Sequence, residues 1–97
     1  MKRNVIITGT STGVGFESAI LFAKQNYRVY ATMRNLKKAD ELQERITTEG
    51  LDIEILELDV TDTQSIKKAV ETVVAKDGQI DLLINNAGAG FAKTTEQ

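Results

Sequence analysis

The chain has 97 residues, carries 12 lysines and arginines against 14 acidic residues, and contains neither cysteine nor histidine. A net charge of −2 with both signs interspersed argues against a nucleic-acid or anionic-membrane surface. Without cysteine there is no disulfide framework or thiol chemistry, and without histidine a zinc site lacks its usual ligands, so no metal is expected.

Residues 4–8, centred on Val5-Ile6-Ile7, read as a first strand covered on both faces. The apolar run is too short for a signal h-region or a membrane span, which predicts a cytoplasmic protein with no membrane partner. A turn follows, Thr8-Gly9-Thr10-Ser11-Thr12-Gly13-Val14-Gly15, and then a helix over about 14–25 with Phe16, Ala19, Ile20 and Ala23 on one stripe. Strand, tight turn and helix in this order bring the partly positive N–H groups of a helix N-terminus to the end of a strand, where a phosphate is favoured. In this reading Gly9 lets the chain turn, Gly13 lets a pyrophosphate approach the backbone and Gly15 lets the helix pack closely. The spacing is not G-x-G-x-x-G, because Ser18 stands where the third glycine would be. Nor is it a P-loop, because no Gly-Lys-Ser/Thr follows.

Residues 28–33 form a second strand. Asn35 is positioned to cap a helix over 36–49, with Leu36, Ala39, Leu42 and Ile46 at helical spacing and Gly50 as its stop. A third strand over 53–58 alternates as an edge strand would. Asp62 or Thr63 then caps a third helix over about 63–77, whose stripe is Ile66, Ala69, Val70, Val73 and Val74, and Gly78 closes it. Residues 80–85 make a fourth strand; from Gly90 onward no pattern is legible. Strand alternating with helix predicts a doubly wound parallel sheet of order 3-2-1-4 with three helices. Ligands of such sheets bind where the order reverses, outside the carboxyl ends of the strands, and both the 9–15 turn and the segment after Asn85 fall there.

Three segments together carry a family resemblance. Thr8 to Gly15 fits Thr-Gly-x-x-x-Gly-x-Gly, Leu58-Asp59-Val60-Thr61 follows the third strand, and Asn85-Asn86-Ala87-Gly88 follows the fourth. In this order the chain resembles the cofactor-binding half of the short-chain dehydrogenase/reductase family. The resemblance implies a Rossmann-like domain and hydride transfer between a nicotinamide cofactor and a carbonyl or secondary alcohol. It also implies cofactor-binding roles for Gly9, Ser11, Thr12, Gly13, Val14 and Gly15. Asp59 would meet the adenine with Val60 as an apolar wall, while Asn86, Ala87 and Gly88 would support the sheet and line the adenosine side.

Arg34 bears on the choice of cofactor. NAD sites of this fold commonly end the second strand on a carboxylate that accepts from both ribose hydroxyls; here Met33 holds that place and Arg34 follows. A guanidinium suits a 2′-phosphate, so NADP(H) is expected over NAD(H), with Ser11 and Thr12 adding hydroxyl contacts. Lys37 and Lys38 are expected to be solvated.

The family's catalytic serine, tyrosine, lysine and asparagine lie further along than this resemblance reaches. Tyr27 is followed four residues on by Ala31 and Tyr30 by Arg34, so there is no Tyr-x-x-x-Lys, and both tyrosines are expected to pack. The chain therefore reads as the N-terminal part of one domain, with no catalytic residue of its own and a small-molecule carbonyl or alcohol substrate for the parent protein. The strand end Tyr30-Ala31-Thr32-Met33-Arg34 is similar to members acting on steroids and retinoids. The alternative is a dinucleotide-sensing or scaffolding module of the same fold without turnover; a Ser and Tyr-x-x-x-Lys beyond Gln97 would separate the two. An exposed fourth strand beside a face covered by a single helix also predicts self-association or a homo-oligomer.

Overall fold

The computed structural model describes residues 2–86. Four parallel strands, β1 (Asn4–Ile7), β2 (Arg28–Met33), β3 (Ile53–Glu57) and β4 (Leu82–Ile84), form one sheet of order β3-β2-β1-β4. Three helices connect them: α1 (Gly13–Lys24), α2 (Asp40–Glu49) and α3 (Thr63–Asp77). Fold and strand order are those read from the sequence.

Alternation along the strands sorts the core into two layers, since successive side chains leave opposite faces. Val5, Ile7, Val29, Ala31, Met33 and Ile53 pack with Ala19 and Ile20 of α1 and Leu42 of α2. Ile6 and Tyr30 point the other way and meet Val73 of α3. α1 and α2 thus cover one face and α3 the other. That second face is thinly covered. Of the α3 stripe only Ala69 and Val73 are buried, while Ile66, Val70 and Val74 remain exposed.

Local chemistry moves several boundaries from their expected places. The expected helix over 36–49 is broken. Leu36–Lys38 forms a 3-10 turn, in which the Asn35 side chain accepts from the Lys37 N–H, and α2 begins only at Asp40. Ala39 N–H is drawn onto the Leu36 carbonyl three residues back, which tightens the turn and leaves Leu36 exposed instead of on the apolar stripe. β4 is shorter than 80–85. Asn4 and Asp81 exchange side chains with each other's backbone N–H, at 2.9 Å in both directions, so Asp81 is tied by side chains before ladder pairing begins. At α3 the cap is Asp62, which accepts from Gln64 N–H at 3.0 Å. Among the described residues no helix is long and apolar enough to cross a membrane.

Candidate cofactor site

The carboxyl ends of β1, β2 and β3 open on a crevice of about 340 Å³ lined by Gly9, Ser11, Met33, Arg34, Asp59 and Val60, with Leu58 and Thr61. Three segments far apart in sequence meet there: the glycine turn, the end of β2 and the Leu58-Asp59-Val60-Thr61 run.

The turn is held from two sides, on one of them by Thr10, which the sequence reading did not single out. Thr10 is fully buried, and both its N–H and its hydroxyl donate to the Thr32 carbonyl of β2, at 3.1 and 2.9 Å. From the β4 side, Asn86 donates its backbone N–H to the Thr8 hydroxyl at 2.8 Å and its side-chain amide to the Gly9 carbonyl at 3.2 Å. The Thr8 hydroxyl in turn donates to the Asn85 side chain at 3.0 Å. A threonine placed directly after an apolar strand was the available signal, since its hydroxyl can reach either neighbour. Asn86 thus ties the glycine turn to the end of β4, while Ala87 and Gly88 lie outside the described residues.

The glycines differ in what they permit. Gly9 and Gly13 have φ of +66° and +64°, which L side chains rarely adopt. Around Gly13 a Cβ would meet nothing within 4 Å, so the backbone is bare to an approaching group. At Gly15 a Cβ would lie 2.1 Å from the Gly9 carbonyl oxygen and 2.7 Å from the Asn86 amide nitrogen. The close packing expected of Gly15 is therefore against the turn itself and Asn86. The first-turn N–H groups of α1 have no partner within the helix, Thr12 supplies no side-chain cap, and no acidic residue stands in that turn. Val14 is exposed there.

Arg34 is exposed at the crevice, and among the described residues no carboxylate lies within ion-pair distance of it. Met33 is buried in the core and borders the crevice at the chain position where an acidic residue commonly stands in an NAD site. Asp59 is anchored by neighbours. Its Oδ1 accepts from the Thr61 hydroxyl at 2.7 Å and the Thr61 N–H at 2.9 Å, and its own N–H donates to Ser65. Those bonds, with a smaller contribution from the Arg34 charge, hold its carboxyl below the usual carboxylate range. Asp59 is therefore a fixed anion at neutral pH. Ser11 lines the crevice beside Arg34, whereas Thr12 does not; with Gly13 it borders a neighbouring cleft that contains Glu17, Glu41, Glu44 and Arg45.

A glycine turn and a helix N-terminus at the carboxyl end of β1, in a parallel sheet of order β3-β2-β1-β4, define the Rossmann-like class of this fold. The chain belongs to the short-chain dehydrogenase family, whose model matches residues 3–97. It is 42% identical over 93 residues to 17-beta-hydroxysteroid dehydrogenase type 1 of Mus musculus, covering 90% of this chain and 26% of that protein. Over 97 residues it is 37% identical to retinol dehydrogenase 12 of Homo sapiens, with coverage of 95% and 31%. Among solved structures it resembles a metagenomic short-chain oxidoreductase in complex with NADP, with a TM-score of 0.82, 29% identity and coverage of 89% and 39%. The chain thus spans between about a quarter and two fifths of the proteins it matches.

Proposed function

We propose that this chain supplies the adenosine and pyrophosphate half of an NADP(H) site, in an oxidoreductase that interconverts a carbonyl and a secondary alcohol. The observation that carries the reading is the single crevice joining the Gly9 turn, Ser11, Arg34 and Asp59. Its residues fit the group. Bare backbone at Gly13 and the first-turn N–H groups of α1 suit a pyrophosphate, and the unpaired Arg34 guanidinium suits a 2′-phosphate. Val60 offers an apolar wall and Asp59 an acceptor for an exocyclic amine. When bound, the cofactor supplies the hydride; the residues described here bind and orient it, and none of them moves a proton. The relatives act, by their names, on a hydroxysteroid and on retinol. A hydrophobic alcohol or ketone is therefore the substrate class to test in the whole protein.

Cofactor titration of the protein tests the reading. A charge-assisted contact contributes about 1.5–3 kcal/mol, so Arg34→Ala is expected to weaken NADPH binding roughly tenfold to a hundredfold. NADH binding should change by no more than about twofold. Equal losses for the two cofactors would overturn the assignment. Met33→Asp is expected to shift preference toward NADH, because the carboxylate accepts from ribose hydroxyls and repels the phosphate.

A further inference from the structure

Two threonines tie the glycine turn to the end of β2. Thr10 places two donors on one acceptor: its N–H and its hydroxyl meet the Thr32 carbonyl at 3.1 and 2.9 Å. The Thr32 hydroxyl in turn donates to the Ile7 carbonyl of β1 at 3.0 Å. Next in the chain, the Met33 carbonyl accepts from the Leu58 N–H at 3.0 Å, on the β3 side. The last two carbonyls of β2 are thus held from opposite edges, one by the turn and one by the segment that carries Asp59. Both threonines have no exposed surface, so this tie does not depend on what covers any other face of the sheet.

We infer, on the Arg34 reading proposed above, that Thr10 is a positioning residue for the choice between NADPH and NADH, and that it acts by fixing Arg34 against the glycine turn. Ser11 follows Thr10 directly, Arg34 stands just beyond Thr32 and Met33, and both line the same crevice. The separation of the two segments that would hold a 2′-phosphate is therefore set by the bonds between Thr10 and Thr32. One N–H alone would leave a swivel there, because the approach of a donor to a carbonyl oxygen is only broadly directed. The hydroxyl on the same oxygen removes that freedom. The turn depends on such a restraint, since Gly9 and Gly13, at φ of +66° and +64°, bracket Thr10 with backbone that has many conformations open to it. The pyrophosphate end has a separate support, because Asn86 holds the turn from β4 through Thr8 and Gly9. Loss of the Thr10 hydroxyl therefore falls on the contact that NADPH alone would make, and far less on those that both cofactors share.

Titration of the whole protein with NADPH and with NADH tests this. Thr10→Val keeps the shape and the N–H and removes only the hydroxyl. It is expected to lower the preference for NADPH roughly threefold to tenfold, the range of one neutral hydrogen bond, with NADH affinity changed by less than about twofold. Thr10→Ser keeps the donor and should keep the preference. In the Arg34→Ala background Thr10→Val should change the preference no further, because the group it positions is gone. Should the valine variant fail to fold, Thr10→Ala makes the same comparison against Thr10→Ser. Hydrogen exchange without cofactor gives a second reading: the amide of residue 10 should exchange faster in the valine variant than in the serine variant. An equal loss for both cofactors, an unchanged preference, a serine variant as impaired as the valine one, equal exchange in the two, or additive effects with Arg34→Ala would each overturn the inference and leave the role of Arg34 standing. Failure of the Arg34 reading looks different, since Arg34→Ala alone would then weaken both cofactors equally, and the role of Thr10 would fall with it.

Discussion

The two arginines that bracket β2 show how one sheet divides its work between its ends. Arg28 opens the strand and is saturated. Its guanidinium meets Asp52 at 2.8 Å, Glu54 at 3.0 Å and Asp77 at 3.1 Å, and lies 4.9 Å from the centre of the Tyr30 ring. Burial works against its charge, but the bonds to Asp52 and Tyr30 more than offset this and hold it protonated. Lys2 and Lys76 extend the network to Asp52 and Glu54. Arg34 follows the strand and, among the described residues, makes no ion pair, although the same sheet positions it. A cation that neutralises its neighbours fixes structure. One that feels a nearby carboxylate only weakly and bonds to none, beside bare glycine backbone, is open to an anion. The contrast sets a cohesive amino end of the sheet against the carboxyl end, where the proposed cofactor site lies.

The largest effect expected falls at the binding end. Gly15→Val would drive a branched side chain into the Gly9 carbonyl and the Asn86 amide that donates to it, so the backbone must move. Overpacking of this kind costs about 1–3 kcal/mol and occasionally more; with the turn displaced, binding of either nicotinamide cofactor should be lost. Gly13→Ala is the control. It has open space and only an unfavourable φ to contend with, so it should cost about 1 kcal/mol. A Gly15 variant as stable as the Gly13 variant in urea denaturation would show that the turn can relax and is not the rigid cradle described.

Removing each arginine breaks the contrast directly. Arg28→Ala leaves three partly buried carboxylates facing one another, and a loss of about 2 kcal/mol is expected after allowing for solvent screening. Arg34→Ala should change stability by less than about 0.5 kcal/mol while weakening NADPH binding. Similar stability losses for the two would dissolve the distinction between the ends. The acid limb sharpens it. Burial pushes the Asp52 carboxyl up, but the bonds from Lys2 and Arg28 outweigh this and leave it below its ordinary value. Its contribution is therefore complete above the unfolded value of 3.8 and is lost as pH falls through the lower folded value. Arg28→Ala should flatten that part of the stability profile.

How far the sequence disclosed these two ends depends on the range of the contacts. Strand order, helix faces and the Gly9–Gly15 turn rest on local period and spacing, and Ala19, Ile20 and Leu42 are buried as their stripes require. Ser11, Arg34 and Asp59 meet because the topology brings the carboxyl ends together, which the order 3-2-1-4 already implies. The Arg28 network joins residues 24 to 49 positions apart, and no spacing rule reaches across such distances. The break after Leu36 was hidden for the opposite reason. Its apolar residues keep helical spacing, and only the Asn35 side chain and the Ala39 N–H decide that the first turn tightens. Tyr30 was expected to pack, and it is fully buried; that its hydroxyl also donates to Asp77 could not be read from a strand pattern.

That hydroxyl gives the finest test of the cohesive end. Burial first, and then the bond to Asp77, push the Tyr30 phenol up to about 12 from 10.0. The folded state favours the neutral phenol, so its folded value lies above its unfolded one. The sign follows: this contribution is complete below pH 10 and is lost as pH rises from 10 toward about 12. Tyr30→Phe keeps the ring beneath Arg28 and removes only the donor. At neutral pH it should cost about 1 kcal/mol, the worth of one hydrogen bond. Raising the pH should then close the gap between variant and parent, because the parent alone has this phenol to ionise and every other group is common to both chains. Urea midpoints of the two proteins between pH 7 and 12 would read it. A gap that stays constant or widens with pH would mean that the hydroxyl is not held neutral by its burial against Asp77, and that Arg28 and its carboxylates alone secure this end of the sheet.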